Sequence, residues 1–256
     1  MALGALERLD GVEDGLSTRP LFDATPFAED SSRLRAFARR EGYLFFRRCI
    51  EPGTLLALRH AVLEACARRD WLVPGTDPKA GTFRPGLALG AYDETWVKLQ
   101  GDILPHPAFD AVRRHPAVLG VLERLFGEPA ITGLGDTCRI FSAGAADLTT
   151  RPHQDAFYVG GHKELWTVWL PLDDCAVEKG GLAVLPGSHR RGLRVHCGEG
   201  SGRQGASVSP SRVWATAGYA CGDALFFGGF TLHRACVNIS DRPRLSADFR
   251  YRPASG

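Results

Sequence analysis

The chain has 256 residues, 44% of them hydrophobic and 23% charged, with a formal net charge of +2. That length buries a sizeable core as one domain, and the near-balanced charge argues against a general pull toward nucleic acid or an anionic membrane. No apolar run approaches the roughly 18 residues of a membrane span, and seven scattered cysteines without a Cys-x-x-Cys pair indicate neither a disulfide framework nor a zinc knuckle. Reduced thiols and an N-terminus without the basic start and apolar core of a secretory signal lead us to expect a cytoplasmic protein. Nothing in the sequence fixes an oligomeric state.

Residues 1–28 mix glycine, proline and acidic residues and read as an N-terminal arm, irregular or with short elements packed on the domain. A mostly helical cover is expected over 30–127. Ser31 or Ser32 caps a first helix that carries Leu34, Phe37 and Ala38 on one face and stops near Gly42. Tyr43–Phe46 reads as a buried strand, and Pro52 opens a second helix with Leu55, Leu58, Val62 and Cys66 at helical spacing. The turn-rich stretch 71–95, which holds Phe83 and Tyr92, is long enough to be functional. Thr95–Gln100, with Lys98 inside it, is expected to be a strand, and helices broken by proline follow over about 107–126, closed by Gly127.

From Ile131 the texture changes to short alternating strands between glycine, proline and aspartate turns. Strands are expected near 131–141, 152–158, 165–172, 182–185, 193–196, 212–217, 224–228, 231–238 and 244–251. A closed or double-sheet β architecture, of which the jelly roll is one form, follows for 131–253. Residues 198–211 are rich in glycine and serine and read as a loop.

Within this half the run Arg151-Pro-His-Gln-Asp-Ala-Phe-Tyr158 places an imidazole at His153 and a carboxylate at Asp155. On a strand, side chains two apart share a face, so both can reach one ion. A second histidine, His233, would complete the two-histidine, one-carboxylate set that holds Fe(II) and leaves positions open. Arg244, on the strand after the turn at Ser240–Pro243, is suited to a two-pronged bond with a carboxylate.

The run His153-Gln-Asp155, then Trp166–Asp174, then Glu178-Lys-Gly-Gly-Leu-Ala-Val-Leu-Pro-Gly-Ser-His189, with His233 and Arg244, resembles the phytanoyl-CoA dioxygenase family of Fe(II)- and 2-oxoglutarate-dependent oxygenases over roughly residues 30–253. The resemblance implies a double-stranded β-helix, a jelly roll of the cupin kind. It implies that His153, Asp155 and His233 hold iron, that Arg244 binds the far carboxylate of 2-oxoglutarate, and that Lys98 and Trp169 line the cosubstrate pocket. Halogenases of this type lack the carboxylate ligand, so Asp155 argues against halogenation. Hydroxylation of a small metabolite or natural-product intermediate by O2, with succinate and CO2 as co-products and ascorbate as a helpful reductant, is the expected activity.

Phe83, Phe157, Tyr158 and Arg139 are the candidate substrate contacts. His189 and Asn238 read as structural, Cys236 as core, and His60, His106, His115, His162 and His196 as surface. The rival readings are a cupin-like small-molecule binder without oxygenase activity, an acyl-CoA hydroxylase, and a zinc isomerase or hydrolase using the same ligands.

Overall fold

The computed structural model describes residues 17–90, 94–144, 146–160, 162–198 and 204–255. Residues 1–16 of the expected arm, Tyr92, and residues 199–203 of the Gly/Ser-rich stretch lie outside the described residues. In chain order the elements are β1 (Thr18–Pro20), α1 (Ser31–Glu41), β2 (Tyr43–Phe46), α2 (Pro52–Ala67), α3 (Glu94–Ile103), α4 (Pro107–Arg113), α5 (Pro116–Phe126), β3 (Ala130–Thr132) and β4 (Thr137–Phe141). Then come α6 (Asp155–Tyr158), β5 (Trp166–Pro171), β6 (Leu182–Val184), β7 (His196–Cys197), β8 (Gly205–Ala206), β9 (Trp214–Thr216), β10 (Ala224–Gly228), β11 (His233–Ala235) and β12 (Arg244–Pro253).

Two sheets make the jelly roll. One runs β2-β10-β5-β12-β3, with β4 also paired to β12; the other runs β1-β9-β6-β11. Strand β1 lies parallel to β9, so of the two expectations for the arm its described end takes the second, a short element packed on the domain that adds an edge to the smaller sheet. Among the described residues no helix is long and apolar enough to cross a membrane.

Strand β12 shows how the helical cover and the interior divide the larger sheet. Its outward residues Leu245, Ala247, Phe249 and Tyr251 join the apolar core. Phe249 meets Phe109 of α4 at 4.7 Å between ring centroids, and the Tyr251 hydroxyl donates to the Arg113 carbonyl at 2.8 Å. Its other face carries Arg244, Ser246, Asp248 and Arg250, all buried. Period-two alternation therefore separates an apolar face packed on helices from a polar face turned between the sheets.

Helix α1 is capped by Asp30, one residue before the expected serines: its carboxylate accepts from the Ser32 and Arg33 amides, both at 3.0 Å. Gly42 ends it with φ of 81°, where a Cβ would collide with the His189 ring and the Thr231 hydroxyl. The expected strand 131–141 is two, β3 and β4, separated by the Gly133–Asp136 turn.

The expected strand at Thr95–Gln100 is instead part of α3. Trp96, Leu99 and Ile103 recur at helical spacing, while Val97 and Leu99 make a short alternation, and the tertiary partner decides between the two patterns. That partner is the outer edge of β4. The buried Gln100 amide accepts from Cys138 N at 2.8 Å and donates to Cys138 O at 2.7 Å, and the Trp96 indole donates to the same carbonyl at 2.8 Å. A helix thus satisfies a strand edge that would otherwise be open. Replacing Gln100 with leucine strands a buried donor and acceptor and should lower the unfolding free energy by about 2 kcal/mol, read as a lower urea midpoint at unchanged slope.

Candidate metal and cosubstrate site

The two histidines meet through their backbones before their rings. His153 N donates to His233 O at 2.9 Å and His233 N donates to His153 O at 3.0 Å, an isolated antiparallel bridge that sets the ring centroids 4.1 Å apart. Each Nδ1 sits against the carbonyl of the residue two before it, 2.8 Å to Arg151 O and 3.0 Å to Thr231 O. A carbonyl only accepts, so Nδ1 carries the proton and Nε2 keeps its lone pair.

Both Nε2 atoms lie 3.6 Å from Asp155 Oδ1, and one ligand atom from each of the three buried residues falls within 4.8 Å of the others. The expected shared strand is not what brings His153 and Asp155 together. His153 lies in the bridge, Gln154 is extended, and Asp155 opens the single turn α6, whose Ala156 amide donates to Gly229 O at 3.0 Å. The carboxylate reaches the histidines because the chain turns after Gln154, and the spacing motif was right for a different local geometry.

The Asp155 carboxylate is divided between two tasks. Oδ2 accepts from the Thr167 hydroxyl at 2.6 Å and from Arg250 Nε at 2.9 Å, while Arg250 Nη2 reaches Oδ1 at 3.2 Å. Burial alone would raise its pKa, but the Arg250 charge and then the nearby histidines outweigh that and hold it well below the ordinary range. His153 is pushed down to about 4 by burial, with the neighbouring His233 adding to the shift. A carboxylate kept ionised beside a His153 imidazole kept neutral suits the binding of a divalent metal.

These residues line one end of a cavity of about 290 Å³, counting its open mouth, that runs between the sheets past Trp169, Leu182 and Asp248 to Arg244. Arg244 is fully buried, with its guanidinium carbon 4.3 Å from the Phe141 ring centroid and 5.7 Å from that of Trp169. It donates to Ser246 Oγ at 3.3 Å, but among the described residues it has no carboxylate partner, and its Nε and the Trp169 Nε1 have no acceptor. Burial lowers the Arg244 pKa, as expected for a cation without a counter-charge.

The other expected residues scatter more. Arg139 reaches the cavity from β4 and pairs with Asp248 at 2.5 Å. Phe157 and Tyr158 stand partly exposed on α6, the Tyr158 ring edge-on to His153 at 5.6 Å. Phe83 lines a separate groove of about 1560 Å³, likewise counting its open mouth, between residues 80–88, 142–144 and 241–243. Lys98 is exposed on α3 and is absent from the cavity wall. His189 is structural as expected, its Nε2 3.0 Å from Arg39 O, Cys236 lies in a small core cluster, and Asn238 ties the Ser240–Arg242 turn.

Three of the histidines expected at the surface have local work. His106 and His115 cap α4 and α5 through Nδ1, and His196 accepts from the Gln154 amide at 3.0 Å. Sequence reading also missed Arg250 and Thr167. The signal for Arg250 was the alternation Arg-Leu-Ser-Ala-Asp-Phe-Arg-Tyr of β12, whose polar face looks solvated until a second sheet covers it.

Replacing Arg250 with methionine leaves a buried carboxylate without its counter-charge and should destabilise the protein by roughly 3 kcal/mol at pH 7. A carboxylate held below its ordinary value contributes stability that is present above that value and is lost as pH falls through the lowered one. The gap between wild type and variant in denaturant titrations should therefore hold at neutral pH and close as pH drops below the ordinary carboxylate value of 3.8.

A family model, phytanoyl-CoA dioxygenase, matches residues 38–246. Two 1-deoxypentalenic acid 11-beta-hydroxylases, from Streptomyces arenae and Streptomyces exfoliatus, are 29% and 30% identical over 249 residues, covering 91% of this chain and 85% of theirs. Among solved structures, the epimerase SnoN in complex with Fe3+, alpha ketoglutarate and nogalamycin RO has a TM-score of 0.62 at 22% identity, over 88% of this chain and 84% of its own. EvdO2 from Micromonospora carbonacea var. aurantiaca, complexed with 2-oxoglutarate, has a TM-score of 0.59 at 23% identity, over 87% and 90%. With the family model spanning most of the sequence and the fold shared with these structures, the chain belongs to the phytanoyl-CoA dioxygenase family.

Proposed function

We propose that the protein is an Fe(II)- and 2-oxoglutarate-dependent dioxygenase that hydroxylates an unactivated C–H bond of a small metabolite or natural-product intermediate. The observation that carries this reading is the presence in one buried cavity of the His153, Asp155 and His233 cluster and an Arg244 guanidinium without a carboxylate partner among the described residues. The residues fit both groups. Two imidazole nitrogens with free lone pairs and one carboxylate oxygen suit Fe(II) and leave room for further ligands. The Arg244 fork suits the far carboxylate of 2-oxoglutarate, and Trp169 Nε1 offers a second donor along the same wall.

When bound, iron with 2-oxoglutarate and O2 supplies the oxidation of the substrate C–H bond, giving an alcohol, succinate and CO2, with ascorbate keeping the iron reduced. The chain's own part is to bind, orient and exclude water. Arg250 keeps Asp155 ionised, and Thr167 turns its Oδ2 away so that Oδ1 faces the histidines. Asp248 pairs with Arg139, so among the described cavity residues Arg244 is the cation without a carboxylate partner and would take the anion. Phe157 and Tyr158 are the substrate contacts of this reading, with Arg139 deeper, and Lys98 takes no part in it. The carboxylate at Asp155 fills the position that a halogenase opens, so the enzyme is not a halogenase. The hydroxylases at 29–30% identity support hydroxylation, and the protein acts as a single catalytic domain in the cytoplasm.

The test is succinate formation by anaerobically purified protein given Fe(II), ascorbate, 2-oxoglutarate and then air. Wild type should turn over slowly even without its substrate, and His153→Ala should abolish the signal. Arg244→Ala should raise the KM for 2-oxoglutarate on the order of a hundredfold, as for a buried charge pair with one partner removed. No succinate from wild type, together with no metal-dependent 2-oxoglutarate binding by calorimetry, overturns the oxygenase and leaves a cupin-like binder.

A further inference from the structure

His196 lies on β7, the first strand of a two-stranded hairpin formed with β8. Its ring makes two hydrogen bonds that agree on one neutral form. Nδ1 is 2.9 Å from Arg194 O and so carries the proton, and Nε2 accepts from Gln154 N at 3.0 Å. The donor is the one backbone amide between His153 and Asp155. The same ring stacks on Phe157 at 4.2 Å with an interplanar angle of 11°, so it touches the chain on both sides of Asp155.

Gly192, Arg194 and Ala206 grip the same run. The Gln154 side chain, wholly buried, donates to Gly192 O at 2.9 Å and Phe230 O at 2.6 Å and accepts from Arg194 N at 2.7 Å. Ala206 N of β8 donates to Pro152 O at 2.8 Å. The ligand-bearing run is therefore held from the inside by the bridge to His233 and from the outside by these residues. An extended residue followed at once by a helical turn has no regular ladder to hold it, and each of these bonds supplies what a ladder would. Phe157, 39% exposed, is stacked against His196 of β7.

We propose that His196 is a positioning residue for the metal site: by accepting the Gln154 amide while stacked on Phe157, it fixes the spacing between His153 and Asp155 and ties that spacing to the β7–β8 hairpin. This rests on the reading of His153, Asp155 and His233 as metal ligands. It gives the middle residue of His-Gln-Asp a structural task and gives a histidine outside the ligand set control over metal affinity. Loss of partners that orient metal ligands costs about 10- to 100-fold in affinity.

The experiment is Co(II) titration of the metal-free protein, followed by visible absorption and calorimetry, for wild type, His196→Ala, His196→Gln, Phe157→Leu and Asp155→Ala. Thermal unfolding of each metal-free protein serves as the control for folding. His196→Ala should bind Co(II) about tenfold more weakly with an altered ligand-field spectrum. His196→Gln, whose amide oxygen restores an acceptor, should recover most of the affinity, and Phe157→Leu should lose less than His196→Ala. Affinity and spectrum in His196→Ala equal to wild type overturn the proposal, as does His196→Gln binding as weakly as His196→Ala, since packing alone would then explain the ring. Wild type and Asp155→Ala binding Co(II) alike overturn the metal reading itself, and the proposal with it.

Discussion

The constraint on which the site depends is the pair of backbone hydrogen bonds between His153 and His233. Neither residue lies on an uninterrupted strand with the other's neighbours, yet this one bridge brings segments far apart in sequence to a fixed separation and orients both imidazoles by the same local rule, Nδ1 to the carbonyl two residues back. The smaller sheet supplies β11, itself registered against β6 with His233 opposite Val184, and the larger sheet supplies Thr167 and Arg250. The third ligand is then delivered by a turn of helix rather than by a strand. Metal geometry in this protein is a property of how two sheets are joined and of the turn α6 that carries Asp155, while the longer helices pack on the larger sheet.

Much of the candidate site was legible in the sequence because its residue types are rare in such combination. Two histidines, an aspartate and an arginine in the right half of the chain, followed by a specific glycine-rich signature, narrow the possibilities whatever the local structure turns out to be. What spacing did not reveal was the path of the backbone. His-x-Asp fits a strand by its period, whereas the turn after Gln154 is held by partners distant in sequence, such as the Gly229 carbonyl that accepts from Ala156 N. Thr95–Gln100 failed for a related reason. Its apolar residues satisfy both periods, and the choice is made by the β4 edge that Gln100 and Trp96 cover, a partner that local sequence does not name. Lys98 went astray with it, since on a helix it faces out.

Arg250 and His196 were missed because their signals are ordinary. An alternating strand is usually half solvated, and a lone histidine in a glycine- and arginine-rich stretch usually lies at the surface. Both gain their meaning from what lies opposite. Three guanidinium groups line the cavity, and two are answered by carboxylates of the chain: Arg139 by Asp248, Arg250 by Asp155. Arg244, without a carboxylate partner among the described residues, is where the proposed function puts an external anion. Reading a buried interior as a charge ledger in this way finds the cosubstrate end of the cavity without reference to the metal.

The polar face of β12 has a consequence for selectivity. The strand is bonded along both edges, to β5 on one side and to β3 and β4 on the other, so it neither stretches nor slips; a one-residue shift would turn Leu245 and Phe249 into the cavity. From Arg244 to Arg250 it spans roughly 20 Å of backbone at about 3.3 Å per residue, with the Arg244 guanidinium at one end and the partner of Asp155 at the other. β12 is thus a ruler built into the sheet. On the function proposed above, it would set the gap between the two ends of the cosubstrate, so that an acid is selected by its length.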